Sequence, residues 1–174
     1  GALGVLGRRN SVWFYSTAVA VIILDQLTKY FARQNLAMGE HITLIPGFLD
    51  LRLNFNTGGA FGVLSDYAPL LVIIAIVVIF IIVKLRSIGS GSTAVSVGLG
   101  LLLGGAIGNL IDRIGFPKRG VTDFIDIHFM IKGELHSWPT FNVADVAIVA
   151  GAILVVFHGY GIERGTMGDG HPEA

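Results

Sequence analysis

The chain has 174 residues, 53% of them hydrophobic and only 14% charged, with no net charge and a mean hydropathy of +0.73. Soluble domains carry about 25% charged residues, so this is the composition of a single membrane domain, and its balanced charge argues against a nucleic-acid partner, which needs clustered Lys and Arg. The absence of cysteine excludes disulfides, thiolate metal sites and cysteine nucleophiles.

Four stretches are apolar enough to span a bilayer, which takes about 20 helical residues. The first runs from Ser11 to about Phe31, uncharged over "SVWFYSTAVAVIIL" and then carrying Asp25 and Lys29. Arg8-Arg9 before an apolar run has the look of an export leader. No A-x-A cleavage pattern follows, however, and Asp25, Gln26 and Lys29 stay in helical register, so the run is read as a retained helix. Asp25 and Lys29, with the acid first, also fit a simple intrahelical pair.

Residues 34–66 follow outside the membrane. "LDLRLNFN" (49–56) alternates, with Leu49, Leu51, Leu53 and Phe55 on one face and Asp50, Arg52, Asn54 and Asn56 on the other. That period of two predicts a half-buried strand. "HITLIPGF" before it can pair with it through a Pro46-Gly47 turn, which predicts a small sheet resting its apolar face on lipid or on the helices. "NTGGAFG" (56–62) returns the chain to the membrane through flexible glycines.

The second apolar run is "YAPLLVIIAIVVIFIIV" (67–83), and the third extends from Ser87 to Ile111 and stops at Asp112-Arg113. Gly100, Gly104 and Gly108 repeat every fourth residue along the third, a ridge that lets another helix approach closely. Asp112 is the next step on that ridge and is expected to face the bundle, with Asn109 one turn from Asp112 and Arg113. The pair Asp112-Arg113 also fits a plain exit from the membrane. Residues 114–141 mix Gly, Pro, charge and aromatics in a pattern that decides neither helix nor irregular loop; Trp138 suits an interfacial anchor. The fourth run spans Val143 to about Tyr160, and the polar, Gly-rich residues 162–174 read as disordered.

Four spans put both termini on one side. Arg8, Arg9, Lys84, Arg86 and Arg164 fall there, against Arg33, Arg52, Lys118, Arg119 and Lys132 in the longer loops. The compact turn at 84–86 tips the balance to cytoplasmic termini and external loops.

Two acids with apolar flanks stand out on the external side: Asp123 in "GVTDFID" and Asp145 in "FNVAD". The third and fourth helices run antiparallel, so the chain joining them brings the two acids to one depth. Two close carboxylates share a proton; such a pair can activate water against an amide and then protonate the departing amine. Plainer readings stand beside this one. Asp145 fits the third-position acid of a cap begun by Asn142, Asp123 fits an ordinary loop acid, and spacing does not separate Asp123 from Asp126. "GSGST" (89–93) with His158 suggests a serine nucleophile and base, but no acid is placed to orient the histidine. His128 and His136 lack a metalloprotease frame, so neither metal nor cofactor is expected.

Taken in order, Asp25 and Lys29, "NTGGAF" (56–61), "GNLIDR" (108–113), "VTDF" (121–124) and "FNVAD" (141–145) resemble the bacterial lipoprotein signal peptidases, the type II signal peptidases. The resemblance runs from about Asp25 to Asp145. It implies an all-α integral membrane protein of four transmembrane helices with a small external β-cradle, one peptidase domain over residues 1–174. It implies a catalytic dyad of Asp123 and Asp145, choosing Asp123 over Asp126. Asn56, Gly58, Asn109, Asp112, Arg113, Asn142 and Ala144 match positions that line or support the site, as do Asp25 and Lys29 at the end of the first helix. Gly59 stands where the family usually has alanine, and "IGFPKRG" (114–120) is longer than usual. The implied reaction removes the signal peptide of a diacylglyceryl-modified prolipoprotein before its lipidated cysteine. It implies a monomer in the bacterial cytoplasmic membrane, in contact with substrate and membrane lipid, the site near the external face. The alternative is a small proton-coupled transporter with Asp25, Asp112, Asp123 and Asp145 as a relay. Against it, the acids cluster toward one side and no helices read as inverted repeats.

Overall fold

A backbone in lipid has to satisfy its own hydrogen bonds, so the apolar runs fold as helices. The structure, a computed structural model, describes residues 2–58, 68–88 and 92–166. Its helices are α1 (Ala2–Asn35), α2 (Ala68–Ile88), α3 (Thr93–Gly115) and α4 (Val143–Thr166). Three stretches, Arg8–Asn35, Pro69–Arg86 and Thr93–Gly115, are long and apolar enough to cross a membrane, while α4 is apolar over the shorter Val143–His158. Two ends differ from expectation. α1 continues past Phe31 to Asn35, and α4 continues past Tyr160 to Thr166, so the start of the segment read as disordered is helical. The glycine turn beyond Gly58 and the Ser/Gly run at 89–91 lie outside the described residues.

The helices keep an apolar outer surface. Val12, Ile23 and Leu27 on α1, Ile73, Val77 and Phe80 on α2, and Val149 and Ile153 on α4 are all half exposed or more, as lipid-facing residues are. Inside, α3 is the central helix and packs against α1, α2 and α4. The glycine ridge does what its spacing predicted, against α1. A Cβ at Gly100 would lie 2.6 Å from the Phe14 carbonyl oxygen, at Gly104 2.7 Å from Val21 Cβ, and at Gly108 2.5 Å from Asp25 Oδ2. Close backbone approach of this kind holds helices together where water supplies no hydrophobic drive. Phe14, Ala18, Ile82, Leu99 and Leu103 fill the core around it.

Four antiparallel strands cap one end of this bundle: β1 (His41–Ile45), β2 (Leu49–Asn56), β3 (Val121–Ile131) and β4 (Glu134–Ser137), in that spatial order. The β1–β2 hairpin closes through the expected turn, where Gly47 adopts φ +72° and Phe48 N–H donates to the Ile45 carbonyl at 3.0 Å. Residues 114–141, undecided by their pattern, supply the other half of the sheet, so the cradle extends beyond residues 34–66. The apolar face of β2 rests on helices: Leu53 and Phe124 pack with Ala32 and Leu36 at the end of α1, with Val143 of α4 beside them.

β3 departs from simple alternation. Phe124 N–H and Ile125 N–H both donate to the Phe141 carbonyl, at 3.0 and 2.9 Å, and the β2–β3 register shifts between Leu51 and Asn54. These bulges re-aim side chains, and Asp123 and Asp126, an odd number of residues apart, line the same cavity.

Candidate active site

The first turn of α4 needs partners for its free N–H groups, and Asn142 supplies them. Its Oδ1 accepts from Asp145 N–H at 3.0 Å, and its own N–H donates to Asp145 Oδ2 at 3.1 Å. This is the reciprocal cap that the sequence allowed. Asp25, reaching over from α1, takes the neighbouring Ala144 N–H at 3.0 Å. Capping therefore fixes Asp145 at a helix start, where the dipole favours its charge.

The same Asn142 reaches the second carboxylate. Its Nδ2 donates to Asp123 Oδ1 at 2.6 Å, while Asn56 Nδ2 donates to Asp123 Oδ2 at 3.1 Å. Asn109 completes the link, its Nδ2 donating to Asp145 Oδ1 at 2.9 Å and its Oδ1 accepting from Asn142 Nδ2 at 3.2 Å. Asp123 and Asp145 thus share one buried amide network. Burial, and then the charge of Asp145, push the Asp123 carboxyl up from 3.8 to about 7. The amide hydrogen bonds and the Lys29 charge act in the opposite direction without prevailing.

Beneath the pair lies a buried ionic layer. Lys29 Nζ sits 2.8 Å from Asp25 Oδ2 and 3.5 Å from Asp112 Oδ2, and donates to Asn109 Oδ1 at 2.9 Å. An ammonium only donates, so Lys29 holds the Asn109 oxygen toward itself and turns the amide N–H groups to Asp145. Asp112 faces the bundle as the ridge predicted and accepts Thr122 N–H at 2.8 Å, tying α3 to β3. Arg113 donates to the Asn109 carbonyl at 3.3 Å and lies within the field of Asp145, Asp123 and Asp112. Gly58 N–H donates to Asn56 Oδ1 at 3.1 Å, orienting that amide.

Two recesses flank the pair. A cavity of about 570 Å³, lined by polar groups of β2, β3 and the segment after β4, includes Asp123. An apolar groove of about 370 Å³ runs along α4 from Ile153 to Asp145, and Trp138 borders both.

Residues 17–160 match the family model of signal peptidase (SPase) II. The chain belongs to the signal peptidase II family. A lipoprotein signal peptidase of Pseudomonas putida is 40% identical over 159 residues, covering 88% of each chain. One from Geobacillus thermodenitrificans is 37% identical, covering 88% of this chain and 92% of its own. A solved bacterial membrane enzyme superposes with a TM-score of 0.74 at 31% identity, over 92% of this chain and 93% of that one.

In this family member every residue singled out by resemblance falls in or beside one network: Asp25, Lys29, Asn56, Gly58, Asn109, Asp112, Arg113, Asp123, Asn142, Ala144 and Asp145. Asp126 is equally buried but belongs elsewhere: Ser137 Oγ donates to it at 2.5 Å, and His128 and Arg52 lie 3.7 and 3.8 Å away, beyond hydrogen-bond distance. His158, the base of the serine alternative, is exposed toward the far end of α4. Sequence reasoning missed Gln26, which donates to Asp25, Asp112 and the Gly108 carbonyl, and Arg33, which donates to Thr122 Oγ1 at 2.9 Å. Their helical spacing with Asp25 and Lys29 was the available signal. It also missed Gly120, whose φ of +76° and close approach to the Asn56 carbonyl admit no side chain.

Proposed function

We propose that Asp123 and Asp145 are the catalytic pair of this peptidase, and that it cuts diacylglyceryl-modified bacterial prolipoproteins before the lipidated cysteine. The observation that carries the assignment is the single residue Asn142, bonded to one carboxylate through its side chain and to the other through its backbone N–H.

The environments suggest the division of labour. Asp123, pushed up to about 7, holds the shared proton near neutral pH, and Asp145 at the helix start carries the charge. Asp145 takes a proton from an attacking water, whose oxygen bonds to the carbonyl carbon while Asp123 protonates the carbonyl oxygen. Asp145 then returns its proton to the amide nitrogen, the C–N bond breaks, and Asp123 recovers a proton from the diol as the carboxylic acid forms. Lys29, Asp25 and Asp112 stay fixed beneath and hold Asn109 in orientation.

The two recesses fit such a substrate. The apolar groove along α4 suits the signal segment or acyl chains, and the polar cavity suits the chain that follows the cysteine. All four helices cross the membrane on this reading, with cytoplasmic termini and the sheet at the external face, as the Lys and Arg placement favours. Both acids come from one chain, so a monomer suffices. The transporter alternative finds no support: the family is a peptidase family, and Asp25, Asp112, Asp123 and Asp145 gather in one network instead of laddering through the bundle.

Purified protein in detergent, with no vesicle or gradient, is expected to cleave a diacylglyceryl-modified precursor and to spare the unmodified one. Equal cleavage of both removes the lipid requirement; cleavage of neither overturns the reading.

A further inference from the structure

The polar cavity has a wall that the proposed chemistry does not use. β2 and the segment after β4 face each other above β3, and Asn54 Nδ2 donates to Thr140 Oγ1 at 2.9 Å across them. Arg52 stands in this wall with its side chain half exposed. Its guanidinium is 3.8 Å from Asp126, beyond hydrogen-bond distance, and among the described residues no hydrogen bond engages its N–H groups. The two acids lining the cavity are different in kind. Asp123 and Asp126 are each only 1% exposed and already bonded, Asp126 to Ser137 and Asp123 to Asn56 and Asn142. Arg52, in an ion pair with Asp126 at 3.8 Å but hydrogen-bonded to nothing among the described residues, is therefore the exposed charge of this cavity. A guanidinium with unspent donors forks onto a carboxylate, which accepts two parallel N–H bonds.

Position narrows the visitor. Asn54 pairs with Asp123 across the sheet, and Arg52 is two residues back on β2, in the bulge between Leu51 and Asn54, at most about 7 Å along the strand. That is the reach of one or two residues of extended substrate past the cut bond. The sheet lies beyond the end of α1, outside the apolar span, so the polar chain after the cysteine belongs on this side.

We propose that Arg52 is a specificity-determining residue that binds the carboxylate of an acidic residue directly after the lipidated cysteine. This rests on the prolipoprotein reading above and deepens it. Arg52 touches neither reacting carboxylate in this role; it raises affinity for one class of mature chain.

The test uses the full-length protein in detergent with diacylglyceryl-modified precursors that differ only in the residue after the cysteine: Asp, Asn or Lys. The parent is expected to favour Asp over Asn by about three- to tenfold in kcat/KM, through KM, and to disfavour Lys. Added salt shrinks that preference, since the pair is half exposed. Arg52→Gln brings the Asp/Asn ratio to about one, and Arg52→Glu turns the preference toward Lys. Thermal unfolding checks that each variant is folded; should the charge reversal not fold, Arg52→Gln decides alone. Equal cleavage of the three precursors by the parent overturns the subsite and leaves the peptidase reading standing, as does a preference that survives in Arg52→Gln. No cleavage of any precursor overturns the reading itself, and the subsite with it.

Discussion

Replacing Asp123 by asparagine is expected to make the fold more stable above neutral pH while destroying the proposed site. The Asp123 carboxyl is pushed up from 3.8 to about 7, first by burial and then by the charge of Asp145. A carboxyl raised in the folded state holds its proton more tightly there than in the unfolded chain. Its contribution to stability is thus full below pH 3.8 and is lost as the pH climbs through about 7. The loss runs at up to about 1.4 kcal/mol per pH unit and flattens near pH 7, so the parent forfeits about 2 kcal/mol between pH 5 and 7. Asparagine does not ionise and forfeits none of it. Its amide accepts from only one of Asn56 and Asn142 and turns N–H groups toward the other, a mismatch of about 1–3 kcal/mol at every pH. The variant therefore starts level with or below the parent at pH 5 and gains on it steadily to pH 7. In a chain of this size 1 kcal/mol moves Tm by about 2–4 °C, so the difference in Tm should swing by about 4–9 °C in favour of the variant between pH 5 and 7. Thermal unfolding of both proteins in one detergent at pH 5, 6, 7 and 8 measures it. A difference that stays constant with pH would refute the argument, because it would mean that Asp123 carries no raised proton affinity.

Three further outcomes follow from the same network. Asn56→Ala removes a hydrogen bond that favours the charged form of Asp123, so the alkaline limb of kcat/KM against pH should move up by about one unit; a downward shift contradicts the assignment. Lys29→Met leaves Asp25 buried without its cation and Asp112 with only Arg33, at 3.7 Å, and should destabilise by about 3–5 kcal/mol, read by thermal unfolding; a loss below about 1 kcal/mol would count against the ionic layer. Gly120→Ala forces a side chain into φ +76° and onto the Asn56 carbonyl, whereas Gly39→Ala, at φ +88° with open space around it, meets only the backbone strain. Gly39→Ala should lose about 1–3 kcal/mol and Gly120→Ala more, because its Cβ also collides with the Asn56 backbone, and only the Gly120 variant should also lose cleavage, by displacing Asn56.

The helices were legible because each run is strongly apolar with few charges, and the β1–β2 hairpin because LDLRLNFN alternates and Pro46-Gly47 can turn. The ridge of Gly100, Gly104 and Gly108 carried real three-dimensional information: it placed Asp112 inside the bundle before any coordinate did. β3 was not legible, since it is covered on both faces at its start and bulged at Phe124 and Ile125, and either feature erases a period of two. β4 is four residues long, too short to show a period at all. Asp123 and Asp126 could not be told apart by spacing because both are buried; what separates them is the company each keeps, the amides of Asn56 and Asn142 for one and a serine, a histidine and an arginine for the other. Asp145 shows that two readings can hold together. It caps its helix with Asn142, and the same cap holds it in the network with Asp123.

The most direct test of the central claim is cleavage of a diacylglyceryl-modified precursor by the purified parent and by Asp123→Asn, Asp145→Asn and Asp126→Asn, each first shown to be folded. The pair mechanism predicts loss of at least about a thousandfold in kcat for the first two, with Asp126→Asn retaining most of the parent rate. Normal cleavage by either the Asp123 or the Asp145 variant would contradict it.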